Sequence, residues 1–129
     1  MAIEMETGAT LPFDRFWDWL QDHPNCILSV ATDDSWLYDA EALHWALFSE
    51  ESGTPVVQLI QGKRLIGEMV LDTSDTLHVQ VLPDPENLER GYFLFKVMGG
   101  VRAAPRPRYT FQLSHGMESL PVGHVALKH

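Results

Sequence analysis

Cysteine is almost absent from this chain. Cys26 stands alone, so no internal disulfide can form, and the cross-linked scaffolds of small secreted domains are excluded in favour of a reducing compartment. Basic residues are scarce too. Nine Lys and Arg face 18 Asp and Glu, a net charge of −9 that argues against nucleic-acid binding by general phosphate neutralisation. Residues 1–20 carry Glu4 and Glu6 and lack an uninterrupted apolar stretch, and the first lysine is Lys63, so the pattern of a secretory leader is missing. No apolar run approaches the ~20 residues that span a bilayer. These absences predict a soluble cytoplasmic protein that uses no membrane. Glycine-rich phosphate loops are missing as well, because Gly62-Lys63-Arg64 and Gly99-Gly100 read as turns between strands and neither opens a helix.

What is present is enough to fold. The 129 residues are 45% hydrophobic and 21% charged, which lies outside the polar, highly charged range of disordered chains and fits one domain over 1–129. Charge is unevenly placed along it. Residues 1–89 hold 17 acids against Arg15, Lys63 and Arg64, a net −14, whereas residues 90–129 hold six bases against Glu118, a net +5. The basic part can lie against the acidic part of the same chain or of a second copy, and an acidic face can bind a basic partner.

Thr10, as a cap, followed by Pro12 predicts a helix opening. Phe13, Phe16, Trp17 and Leu20 then recur at helical spacing opposite Asp14, Arg15, Asp18 and Gln21, giving an amphipathic helix of about three turns stopped by Pro24. The apolar, β-branched run 26–32 reads as a buried strand. Asp39 to Leu43 reads as a helical turn leading into a strand at 43–50, with a helix over 40–48 as the alternative. Ser52-Gly53-Thr54-Pro55 resembles a hairpin loop. Strands at 56–60, 65–71 and 76–82 follow as a meander of antiparallel neighbours, joined by turns at 61–64 and 72–75. After a loop at 83–90, a strand at 92–98 ends at Gly99-Gly100. Residues 101–107 read as an irregular connection, because Pro105 and Pro107 cannot donate to a central ladder. Alternating Tyr109, Phe111 and Leu113 make the last strand, and 114–129 is a less regular tail. The expected fold is α+β: an N-terminal amphipathic helix packed on a twisted, mainly antiparallel sheet of about six strands.

Chemistry-bearing patterns are weak. His23, His44, His78, His115, His124 and His129 form no H-x-H or H-x-x-x-H pair, and Cys26 has no second cysteine near it, so no metal site is expected. Cys26 at the head of an apolar strand reads as an inert thiol with a raised pKa. Ser114 and His115 are neighbours but lack a nucleophile elbow. Asp33-Asp34, Glu50-Glu51 and Glu4/Glu6 lie in polar segments where carboxylates keep ordinary acidity, and Glu68 is the carboxylate best placed for burial. Catalytic residues and cofactors are therefore not expected. Trp36-Leu37-Tyr38 form an aromatic cluster whose favoured place is under the N-terminal helix; exposed, it is an interaction hot spot. Candidate partner-binding residues are Trp36, Tyr38, Arg102, Arg106 and Arg108. The functional expectation is a small binding protein of adaptor, escort or inhibitor type, with a protein partner of basic character and a homodimeric state. A small enzyme or ligand-binding barrel, its site assembled only in three dimensions, is the alternative.

Overall fold

A computed structural model describes residues 9–117. The expected tail beyond Met117, the Glu4/Glu6 pair, His124 and His129 lie outside the described residues. The chain runs through β1 (Ala9–Leu11), α1 (Phe13–Gln21), a 3-10 turn (Pro24–Cys26), β2 (Ile27–Ala31), β3 (Trp36–Tyr38), β4 (His44–Ser49), β5 (Pro55–Gln61), β6 (Arg64–Val70), β7 (Thr76–Pro83), a second 3-10 turn (Leu88–Arg90), β8 (Phe93–Val101) and β9 (Ala104–Leu113). Two antiparallel sheets result: a six-stranded one ordered β1-β7-β8-β9-β2-β3 and a three-stranded one ordered β4-β5-β6. The mainly antiparallel α+β reading holds, but the described residues form nine strands in two sheets, where a single sheet of about six was expected. No described helix is long and apolar enough to cross a membrane.

The helix begins after Pro12, which takes the N-cap position with extended backbone and no side-chain cap bond. Thr10 is no cap, because it lies in β1 opposite Gln80. Phe16, Trp17 and Leu20 are buried as the helical spacing requires. Phe16 stacks on Phe95 at 5.1 Å between ring centres and meets Phe111 edge-on at 5.2 Å. Offset and edge contacts of this kind add about 0.5–1.5 kcal/mol to plain burial. The helix ends at Gln21, ahead of Pro24, which opens the first 3-10 turn.

Sheet faces follow the two-residue period. On β9, Tyr109, Phe111 and Leu113 are buried while Thr110 and Gln112 are half-buried on the opposite side. One apolar core collects these residues with Val79, Val97 and Ile27 of the larger sheet and Trp45, Val57 and Leu59 of the smaller. Trp45 ties the two sheets together: its indole Nε1–H donates to the carbonyl of Ile27 at 3.0 Å, satisfying a polar atom that burial would otherwise strand.

Three connections depart from the sequence reading. Residues 39–43 hold no helical turn; Leu43 N–H bonds to the Ala40 carbonyl and Ala42 sits at φ 75°, a left-handed conformation that ends helical propagation and redirects the chain from β3 to β4. The meander is real from β4 to β6 but breaks before β7, which pairs with β1 and β8 in the other sheet. The reason is Leu71, buried in the core, and the Asp72 amide, which donates to the Tyr109 hydroxyl at 2.7 Å; together they carry the chain across the core. Finally, residues 101–107 are not irregular. β8 continues through Gly99 and Gly100, and β9 returns from Ala104, pairing Pro105 with Gly100 and Pro107 with Met98. Prolines are tolerated because β2 pairs with β9 only from Thr110 onward, so this stretch of β9 is an open edge that needs no donors.

Candidate interaction surface

β3 is an edge strand of three residues, and its alternation decides what faces out. Leu37 points inward and packs on the core, so Trp36 and Tyr38 point outward and are 58% and 60% exposed. Burial under the N-terminal helix, the favoured place for this cluster, is thereby overturned. The two rings meet edge-on, 6.3 Å apart. Leu37 also marks where the sheets adjoin, since a methyl group built on Gly67 of β6 would stand 2.6 Å from Leu37 Cδ2. The residues flanking that contact on β6 include Leu65 and Ile66, 51% and 42% exposed, with Val70 further along the strand. Trp36 and Tyr38 therefore form a short exposed aromatic strip along β3, and Leu65, Ile66 and Val70 are further exposed apolar side chains on β6.

Acids rim this strip. The 32–35 turn is held by Thr32, whose hydroxyl oxygen accepts from the Ser35 amide at 3.1 Å and whose amide donates to the Ser35 carbonyl at 2.8 Å. That geometry presents Asp33 and Asp34 at one end of β3, both exposed, while Asp39 and Glu41 stand exposed past the other end. A shallow hollow of about 400 Å³ opens beside the turn, with Asp33, Asp34, Val70 and Arg108 in its wall. Glu68 is exposed too, against the expectation of burial, and accepts from Gln58 Nε2 at 2.7 Å.

The candidate arginines separate. Arg106 lies 3.7 Å from Asp33, a pair whose side chains are 70% and 82% exposed. Arg102 is exposed in the turn between β8 and β9. Arg108 is engaged internally, pairing with Asp75 across Gly99, where any Cβ would crowd the Arg108 stem and the Asp75 carboxylate. It therefore braces the base of the hairpin and leaves Arg102 and Arg106 as its outward charges.

Two polar constellations escape a linear reading. Asp84, 4% exposed, accepts from Gln112 Nε2 at 2.8 Å, from Asn87 Nδ2 at 2.9 Å and from the Glu86 amide at 3.1 Å. Burial raises the pKa of its carboxyl, but these donors outweigh burial and hold it below the usual carboxylate range. Gln112 accepts in turn from Ser29 Oγ at 3.4 Å, so the 83–92 connection is bound to β9 and β2. The second joins residues 89 apart. Cys26 Sγ lies 2.9 Å from His115 Nε2, and His115 Nδ1 lies 3.2 Å from Ser114 Oγ. The backbone enforces the approach, because the Ser114 amide donates to the Cys26 carbonyl at 2.9 Å. Burial pushes the Cys26 thiol up, opposed by the Ser114 hydroxyl, and a protonated thiol is a poor nucleophile. Elsewhere His23 stacks on Trp19 and its Nδ1 lies 2.7 Å from the Trp19 carbonyl, a local contact within α1's end. Among the described residues no three His, Cys, Asp or Glu side chains group as metal ligands.

Only proximity of Trp36 and Tyr38 could be read from their spacing; that they face outward depends on Leu37 packing on the core. Comparisons with protein-family models, with curated proteins and with solved structures give no match to this chain.

Proposed function

We propose that this chain is a small acidic binding protein that holds a basic, partly apolar protein segment along the exposed aromatic strip of β3. One observation carries the reading: Trp36 and Tyr38 are more than half exposed, side by side, between Asp33-Asp34 and Asp39, Glu41. Large rigid aromatics anchor partners at low entropic cost, and a rim of one charge sign selects the partner's sign and speeds encounter. Nucleic acid is disfavoured as the partner because Arg106 and Arg108 already face Asp33 and Asp75. The reading places the protein in the cytoplasm, where Cys26 stays a free thiol.

Isotope-labelled protein titrated with matched-length peptides, one of Arg and Val and one of Glu and Val, tests this. The basic peptide should shift the Trp36 indole N–H and the amides of Leu37 and Tyr38, with an effect that weakens as salt rises. Shifts confined to other surfaces, or equal shifts with the acidic peptide, would refute it. The enzyme alternative has the Cys26–His115 contact behind it, but a buried, protonated thiol makes the strip the stronger reading.

A further inference from the structure

We infer that the segment held by the strip is the β8–β9 arm of a second copy of this chain, the two arms exchanging across a two-fold axis. This rests on the reading of the strip as a binding surface. The arm has the complementary chemistry. Its two strands extend past the rest of the sheet, since β7 last pairs at Gly99 and β2 last pairs at Thr110. Residues 101–107 are all exposed, with Val101 at 66%. Arg102 and Arg106 supply charge opposite in sign to Asp33, Asp34, Asp39 and Glu41, and Val101 supplies an apolar side chain for Trp36 and Tyr38.

Pro105 and Pro107 say how the arm docks. Without N–H groups at those positions the open edge of β9 cannot be extended by another strand, so the arm is received through its side chains. Within one chain, Arg106 already stands beside Asp33. So exposed a pair contributes little, and swapping it for the same contact on a partner costs little. It also locates the arm's root beside the Asp33 end of the strip, and the exchange sets the two-fold axis near that end. Both contacts then close together, with no unsatisfied surface left to propagate a filament.

Sedimentation equilibrium of the full chain tests the inference, with arm-reversed (Arg102→Glu/Arg106→Glu) and strip-reversed (Asp33→Lys/Asp39→Lys) variants. All four positions are exposed, so the fold should survive, as melting curves will show. The parent should reach twice the 14.6 kDa chain mass at micromolar concentration. Each variant alone should dissociate at least about tenfold more readily, because like charges then meet. An equimolar mixture of the two should recover the dimer, since each arm again meets a strip of opposite sign. Trp36→Ala/Tyr38→Ala should weaken the dimer without altering charge. A parent that stays monomeric to about 100 µM, a dimer indifferent to both reversals, or a mixture that fails to recover would overturn the exchange. If the Arg/Val peptide still shifts Trp36 in that case, the strip is a binding surface for another protein; if it does not, the strip reading falls as well.

Discussion

Replacing Gly67 with alanine puts a methyl group 2.6 Å from Leu37 Cδ2, well inside any contact that real atoms tolerate. One of two things must move: the Leu37 side chain, which packs on the core, or β3 with it. Overpacking of this kind costs about 1–3 kcal/mol, and the half-buried, rotatable Leu37 argues for about 1.5 kcal/mol. Against it stands the gain of alanine over glycine in a strand, about 0.5–1 kcal/mol, most of it from the narrower unfolded ensemble. The net expectation is a loss of about 1 kcal/mol. In a Leu37→Ala background the obstruction is gone, and the same substitution should become stabilising by about 0.5 kcal/mol. The sign reversal amounts to a coupling of about 1.5 kcal/mol between residues that share no hydrogen bond. Denaturant titration of the four members of the cycle measures it. If the two changes add to within about 0.4 kcal/mol, Leu37 does not pack against Gly67 and β3 does not rest on β6 there.

Trp17→Ala should cost about 3–5 kcal/mol in the same titration and Asp18→Ala less than about 0.5, because Trp17 is buried and donates to Ser49 Oγ at 3.0 Å while Asp18 is exposed. Equal losses would mean the buried face of α1 is misassigned. Asp84→Asn should destabilise at pH 7 by about 1–3 kcal/mol, as an amide cannot accept from all three donors. Since the native carboxyl is held below its unfolded value, its contribution is whole above about pH 4 and disappears as pH falls through the native pKa, so the gap between wild type and variant should close in acid. Cys26 runs the other way. Its native pKa is raised, so its contribution is whole below the ordinary thiol pKa of about 8.5 and is lost as pH climbs through the higher native value. Cys26→Ala should flatten that alkaline loss, and an unchanged alkaline limb would place the thiol in water.

Elements governed by local spacing were legible in the residues. The helical stripe Phe16, Trp17, Leu20 and the alternation of Tyr109, Phe111 and Leu113 each encode their own buried side. Gly53 and Gly62, both at positive φ, marked the hairpin turns that glycine adopts without strain. Period alone, however, says which residues share a face and not what covers it, so Trp36 and Tyr38 could be grouped but not oriented. Pro105 and Pro107 misled for a related reason: their meaning depends on whether a third strand runs alongside, a fact of topology. Cys26 with His115, 89 residues apart, and Asp84 with Gln112, 28 apart, are pairs made by the way the strands pair, and nothing in either local sequence announces the other.

The order of strands along the chain has a consequence for biosynthesis. β1 through β3 belong to the larger sheet, yet their pairing partners there outside this group are β7 and β9, and Ile27 must wait for Leu113. The complete smaller sheet is synthesised in between. At the ribosome β4, β5 and β6 can join as successive hairpins as they emerge, since every closure is short. In the first third only β2 and β3 can close so, across the 32–35 turn, while β1 and the other edge of β2 must wait. Ile27, Val30 and the apolar face of α1 emerge early and remain without their final cover until β9 has been made, a window in which a slowed ribosome would leave them open to aggregation or to a chaperone.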